Sequence, residues 1–496
     1  MIIRSLINSF RLVVIVTILF RHHALFFWRG TPDFSKGKNL ANALEALGPS
    51  FIKLGQILST RSDIVGEEMA LALAGLQDKV PPFSSDTVHQ LIEMQLGKKT
   101  ADVFASFDDV PKAAASIAQV HFAVLQDGKK VAVKVLRPNI EQAFARDIRL
   151  LYWLADIISY WMPSLQRFKL AEVTAEFEDM IKFELDLRFE AASAVQMKQN
   201  LLHDEGFYIP EIYWNYSSQC VLTLERIEGI PISDVETIIK AGHDPKRIVD
   251  EAAIGFFKQV FRDGFFHADM HPGNMFILPN GKIALVDFGI MGILDMKSRL
   301  YLAQILNYAL KEDYYNLSRI HFDAGFVPPT KSVEKFALAM IAIMKPIMGR
   351  NLGDISVGGL LGQLFSTAKT FEMETQPHLL LLQKNMMLTE GIGRMLNPNV
   401  NMWQVAEPLI EAWAKKHLGV RAKLHEKAQE TMSLLASLPL LVQRAEDALA
   451  RVNNGGFKLH SDTVTSMRKE RRSIYKSWLF FLWTALIVFT ICYVTK

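Results

Sequence analysis

The block His267-Ala268-Asp269-Met270-His271-Pro272-Gly273-Asn274, followed thirteen residues after Asn274 by Asp287-Phe288-Gly289, constrains this chain more than any other stretch. A carboxylate, an amide five residues on and a second carboxylate beyond an intervening strand pair are the parts needed to position a phosphoryl acceptor and hold Mg2+ on a triphosphate. Between them, Met275 to Leu278 and Ile283 to Val286 are short apolar runs separated by Pro279-Asn280-Gly281, an Asn-Gly hairpin signal, so the geometry reads as loop, hairpin, loop. Asp269 can then face a hydroxyl or a water. The Asn274 amide oxygen and the Asp287 carboxylate, both hard oxygen ligands, converge on the metal. Taken singly, each Asp reads as a turn or a helix cap. The combined pattern reads as a kinase-type nucleotide site.

Such a site predicts a lysine on a strand and a loop covering the phosphates, both upstream. Val131-Ala132-Val133-Lys134-Val135 alternates in a way that aims Lys134 into a cleft. The stretch Lys112, Ala113, Ala114, Ala115, Ser116, Ile117, Ala118, Gln119, Val120 takes the place of the phosphate loop, with alanine wherever glycine is usual. Glycine permits positive φ and close backbone approach to phosphate, whereas each alanine adds a methyl group, which argues against a protein kinase's handling of the γ-phosphate. Beyond Asp287-Phe288-Gly289, the chain runs into Leu300, Ile305 and Leu306 at helical intervals with no Ala-Pro-Glu and no Ser/Thr-rich activation loop, which also weakens a peptide-substrate reading.

These blocks, with Lys53-Leu54-Gly55-Gln56, resemble the UbiB family of atypical kinase-like ATPases over roughly residues 30 to 350, and the layout extends the likeness to the C-terminus. The resemblance implies an α+β, bilobal protein-kinase-like fold that uses ATP or ADP with Mg2+ and supports ubiquinone biosynthesis. It implies that Lys134 contacts the α and β phosphates, that Glu190 orients Lys134, and that a helix laid across the site brings Lys53 to Glu184 and Asp186. Lys53, Gln56, Glu184 and Asp186 would gate the site. The residues themselves allow this. Gly48-Pro49-Ser50 starts a helix on which Lys53 and Gln56 share a face, with Gly55 admitting a close neighbour. A solvated amphipathic helix has the same spacing. On a continuous helix Glu184 and Asp186 would project about 200° apart, so sharing one cation needs a distorted or terminal turn. All three carboxylates could equally be surface charges.

The organisation expected is a basic apolar segment at 1–30, a helical extension at 31–110, a small lobe at 111–226 with inserted helices after residue 139, and a large lobe at 227–345. A helical region at 346–455, a polar basic linker at 456–477 and a transmembrane helix at 478–494 complete it. The last, Trp478 to Val494, is seventeen uncharged residues. As a helix it spans about 26 Å against a membrane core of about 30 Å. Arg468, Lys469, Arg471, Arg472 and Lys476 precede it, so positive-inside bias places the catalytic body in the cytoplasm; the resemblance implies that the membrane is a bacterial inner membrane. A buried soluble helix is the competing reading. Near the N-terminus, Leu12 to Phe20 is too short to cross; with Arg4, Arg11, Arg21 and Arg29 it reads either as an interfacial segment on anionic membrane lipids or as a packed lid.

A net charge of +3 without a basic aromatic patch argues against nucleic acid as a partner. Two cysteines, Cys220 and Cys492, both in apolar runs, fit a reducing compartment. The partners expected are membrane lipids and the enzymes or prenylated precursors of ubiquinone synthesis. An isoprenoid-lipid or small-molecule kinase, and a non-catalytic nucleotide-sensing scaffold, are the alternatives to an ATPase.

Overall fold

The structure, a computed structural model, describes residues 2–24, 34–60, 65–76, 80–161, 170–346, 367–368, 370–373, 377–397 and 402–418. The linker at 456–477 and the apolar stretch at 478–494 lie outside the described residues. Among the described residues no helix is long and apolar enough to cross a membrane. The larger of two compact units, Met1–Ala155 with Gln166–His417, carries every residue of the candidate site.

The extension is a helical layer: α1 (Ile2–Arg21), α2 (Phe34–Leu47), α3 (Pro49–Thr60) and α4 (Glu67–Ala74). Ile15, Leu40, Leu44, Phe51, Met69 and Leu73 form its core together with Leu150 of the small lobe. Gly55 is what lets α3 sit so close, since a Cβ there would lie 2.4 Å from a Leu76 methyl and 2.7 Å from a Leu44 methyl. One face of α1 packs on this layer. Ile15 is buried in that core, and the Arg11 guanidinium pairs with the buried Asp147 at 3.0 Å and lies over the Phe51 ring. Val13 and Phe20 stay exposed.

Helix α5 (Ser85–Leu96), capped by the Ser84 hydroxyl, backs the small-lobe sheet. That sheet is antiparallel: β1 (Phe104–Phe107), β3 (Ala118–Leu125), β4 (Lys130–Leu136) and β6 (Val221–Glu225) lie in that order, with β2 (Ala113–Ala114) pairing on β3. The alternation of β4 works as expected. Val131, Val133 and Val135 pack with Val88 and Ile92 of α5, leaving Lys134 on the opposite face beside Val120 and Leu222. Three helices fill the long interval before β6: α6 (Ile140–Trp161), α7 (Leu170–Glu184) and α8 (Leu187–Asn200).

The large lobe follows β6, and its sheet also takes in the earlier two-residue strand β5 (Phe207–Tyr208), which pairs with β10 below. It contains β7 (Ile230–Pro231), α9 (Pro245–Phe257), β8 (Phe265–His267), the hairpin β9 (Met275–Ile277) and β10 (Ile283–Leu285), and β11 (Met291–Ile293). The hairpin is the expected one, Ile277 facing Ile283 and Met275 facing Leu285, with Gly281 at φ 80° in the turn. The chain does not run straight from Gly289 into a helix: β11 intervenes and pairs with β8, before α10 (Met296–Leu310), α11 (Tyr314–Asp323) and α12 (Val333–Met344). Helices α13 (Pro377–Leu396) and α14 (Met402–Leu418) follow. Leu382, Ile392, Leu396 and Ile410 belong to the same apolar core as Phe256, Phe266 and Met275, so α13 and α14 complete the large lobe.

Candidate active site

Lys134 is the centre of the site. Its ammonium lies 2.9 and 2.8 Å from the two Glu190 carboxylate oxygens and 3.2 Å from Asp287 Oδ1. Strand β4 supplies the lysine and α8 the glutamate, while the turn after β10 supplies the aspartate. Glu190 is buried and Asp287 half-exposed. Burial pushes the Glu190 carboxyl up to about 6, against the pull of Lys134. The Lys134 cation, opposed by burial, holds the Asp287 carboxyl down to about 2. Burial works against the Lys134 charge, but Asp287 and Glu190 outweigh it and its pKa rises. All three groups are therefore charged at neutral pH.

Asp287 is held in the left-handed region, φ 62°, which Asp tolerates better than most residues. Its Oδ1 also accepts from the Gly289 N–H at 3.3 Å, so the carboxylate is braced from both its own turn and the small lobe.

The Asp269 loop is built from buried backbone contacts. His267, fully buried at the end of β8, accepts the Asp269 N–H at Nδ1 (3.2 Å) and reaches the Val286 carbonyl with Nε2 (3.3 Å). Burial lowers its pKa, so it is neutral and its proton sits on Nε2, the nitrogen that donates. Gln259, in the π-helical turn after α9, accepts the His267 N–H at 3.0 Å. Asn274 donates through Nδ2 to the Asp269 carbonyl (3.0 Å) and to Asp269 Oδ2 (3.2 Å), while the Asn274 carbonyl accepts the Val286 N–H at 3.0 Å. Asp269 and Asn274 are thus bonded to each other, and the Val286–Asn274 backbone bond sets Asp287, the next residue, at the same open end of the β9–β10 hairpin.

The phosphate cover is a tight hairpin. Ala113 and Ala114 pair with Val120 and Gln119, the Ala115 N–H donates to the Ala118 carbonyl, and Arg137 donates to the Ala115 carbonyl from Nε and Nη2 at 3.1 and 2.9 Å. The same guanidinium reaches the carbonyls of Val80 and Pro81. None of Ala113 to Val120 has positive φ, so this turn has no need of glycine. Lys112 and Ala113 are exposed, whereas Ile117 and Ala118 pack in the small-lobe core. Gln119 departs from the expectation of a nucleotide contact: β-strand alternation turns its side chain away from the cleft, where it bonds the Phe83 backbone and His121. The Ser116 hydroxyl is buried without a hydrogen-bond partner among the described residues.

Lys53 of α3 does reach Glu184, at 3.1 Å with both side chains buried. Asp186 does not share in it. The helix assumed through this stretch breaks at Leu185 and Asp186; Asp186 caps α8, accepting the Arg188 N–H, and pairs with the Arg188 guanidinium at 2.6 Å. Arg188 keeps the Asp186 carboxyl below its ordinary value. Gln56 lies on the same helix, one turn on from Lys53.

Two further residues belong here and were not expected from the sequence. Lys384 Nζ, on α13, lies 3.0 Å from Asp269 Oδ1, and Asn385 brackets the loop, accepting the Met270 N–H at 2.8 Å and donating to the His267 carbonyl at 2.6 Å. Asn385 is fully buried. An asparagine on the apolar face shared by Leu382, Thr389 and Ile392 was the available signal.

Comparison with known proteins agrees with this geometry. Residues 75–321 match the model of the ABC1 atypical kinase-like domain, and residues 340–401 that of the UbiB helical domain. A "Probable protein kinase UbiB" of Marinobacter nauticus is 42% identical over 89% of this chain and 83% of its own length. One of Pseudomonas paraeruginosa is 41% identical over 86% of this chain and 81% of its own. Among solved structures, the complex of Rv3197 with erythromycin from Mycobacterium tuberculosis superposes with a TM-score of 0.54 at 26% identity, covering 72% of this chain and 91% of that one. The kinase-like fold implies ATP binding. The chain belongs to the UbiB family of atypical kinase-like proteins.

Proposed function

We propose that the protein is a Mg2+-dependent ATPase of the bacterial inner membrane that supports ubiquinone biosynthesis. The observation that carries the reading is the single lysine bridging Glu190 and Asp287 beside the Asp269–Asn274 pair. Lys134 would bind the α and β phosphates, with Glu190 holding it in place. The fit for a metal rests on the donor set. Asn274 spends its Nδ2 on Asp269, which leaves its Oδ1 uncommitted among the described residues, and Asp287 has a second oxygen beyond the one that Lys134 and Gly289 use. Those two oxygens would hold Mg2+, which supplies charge neutralisation on the β and γ phosphates. Asp269 would orient the attacking water or hydroxyl. Lys53, Gln56, Glu184 and Asp186 would gate entry, through the Lys53–Glu184 pair and the helix break that Asp186 caps.

The test is turnover of labelled ATP by the full chain in anionic liposomes, with and without ubiquinone precursors. Free phosphate as the product, with Mg2+ required, is expected; no turnover under any of these conditions would overturn the proposal. A small-molecule or isoprenoid-lipid kinase is the second reading, favoured by the short path from Gly289 through β11 to α10, which leaves little surface for a peptide. A phosphorylated lipid in the same assay would establish it.

A further inference from the structure

We infer that Lys384 is a positioning residue of the reaction, and that the helical region therefore supplies part of the active site and does more than buttress it. The inference rests on the phosphoryl-transfer reading of Asp269. Among the described residues each oxygen of that carboxylate has one partner: Asn274 Nδ2 on Oδ2 at 3.2 Å and Lys384 Nζ on Oδ1 at 3.0 Å. Asn274 lies five residues from Asp269, but Lys384 comes from 115 residues away. Without Lys384 the carboxylate would keep one anchor and could rotate about its χ angles. With both, its plane is set, and each oxygen retains a lone pair for the hydroxyl or water it must orient.

The rest of α13 is arranged to hold that ammonium in place. The neighbouring Asn385 is fully buried and grips the backbone on both sides of Asp269, at the His267 carbonyl and the Met270 N–H. One turn on, the buried Thr389 hydroxyl donates to the Asn385 carbonyl. Leu382, Ile392 and Leu396 seat the helix in the large-lobe core. A lysine tethered this way loses little further freedom on meeting the carboxylate, unlike a surface pair between two mobile chains. Lys384 and Asp269 each keep about a third of their side-chain surface open, 37% and 32%, so the pair is accessible to a phosphoryl group bound at Lys134 and Asp287 in the proposed reaction. The ammonium thus adds positive charge where negative charge collects. Helix α13 also packs against α3, the helix that carries Lys53 and Gln56. The gating helix and the residue that orients Asp269 thus touch a common element.

The experiment uses the full-length protein in liposomes, with ATP turnover measured at saturating Mg2+ and nucleotide affinity measured with a fluorescent ADP analogue. Lys384→Gln is expected to lower kcat by about 30- to 100-fold while KM for ATP and ADP affinity stay within about threefold, because an interaction used mainly in the transition state is lost. Lys384→Arg should recover kcat to within about tenfold of the unmodified protein. Adding Lys384→Gln to Asp269→Asn should cost almost nothing more, since the lysine acts through that carboxylate. A kcat for Lys384→Gln within about threefold of the unmodified protein overturns the inference alone, as does a parallel loss of nucleotide binding in both Lys384 variants, the mark of a structural role. Nucleotide binding without turnover in the unmodified protein overturns the proposed function and this inference together.

Discussion

Replacing Asn385 by leucine, a residue of similar size, would remove both hydrogen bonds that Asn385 makes to the loop around Asp269, at 2.6 and 2.8 Å, and leave the His267 carbonyl and the Met270 N–H buried without those partners. Each buried polar group left unpaired costs about 1–3 kcal/mol. The leucine regains part of this, about 1–2 kcal/mol, through apolar burial against Leu382 and Ile392. The net local cost is therefore about 1–4 kcal/mol, and it falls on the loop and not on the whole fold, because the remaining core of α13 is unchanged. Hydrogen exchange reads this directly. At 1.36 kcal/mol per tenfold, protection of a peptide spanning residues 265–271 should drop by roughly 5- to 900-fold, while peptides from β3 and β4 keep theirs. Turnover should fall with it, since Asp269 sits between the two bonds. Protection of the 265–271 peptide within about threefold of the unmodified protein would refute the argument that Asn385 holds the loop.

Asp287→Asn should reduce Mg2+-dependent turnover at least about 100-fold yet shift the thermal midpoint by no more than about 2 °C, because asparagine accepts φ near 62° and the lost ion pair is half-exposed; undiminished turnover removes Asp287 from the metal site. Turnover should fall as the pH drops through about 6, where Glu190 takes up a proton and releases Lys134, and Glu190→Gln should abolish that limb along with most activity; a limb unmoved in residual Glu190→Gln turnover counts against it. The stability signs are opposite for the two carboxyls. Glu190, raised from 4.5 to about 6, binds its proton more tightly folded, so its burial opposes folding above about pH 6 and that opposition is relieved as the pH falls toward 4.5. Asp287, lowered from 3.8 to about 2, contributes stability above 3.8 that is lost as the pH falls toward 2, which acid titration of the unfolding midpoint in the Asn variant should reveal by its absence. Gly55→Ala places a methyl 2.4 Å from Leu76 and 2.7 Å from Leu44, both flexible ends, and should cost about 1–2 kcal/mol in denaturant unfolding; no change in midpoint would mean the two helices part freely.

What could be read in the chain was what short-range chemistry dictates. The alternation around Lys134, the Asn-Gly turn between β9 and β10 and the five-residue step from Asp269 to Asn274 each depend on a few neighbouring residues, and each took its expected form. Strand β11 went unseen because Met291-Gly292-Ile293 is three residues with a glycine in the middle; only the Phe266 ring, which a Cβ at 292 would meet at 2.1 Å, explains that glycine. The contact of Lys53 with Asp186 rests on the resemblance alone; helical periodicity already required a break for it, and the break that forms turns Asp186 to its own cap and to Arg188. Lys384 and Asn385 lie 115 residues or more from the backbone and carboxylate they touch, and helical spacing in α13 gives no hint of what its polar residues face.

The alanine hairpin over the cleft has one more consequence. Glycine-rich covers flex because their backbone wanders between basins; here every residue from Ala113 to Val120 sits where an L-amino acid is at ease, and Arg137 clasps the turn to the segment at 80–81. Glycine substitutions at these alanines would enlarge the ensemble of the loose chain without relieving any crowding in the folded one. With so little slack in its backbone, the turn would offer a bound nucleotide a fixed surface where a glycine-rich loop would offer a mobile one.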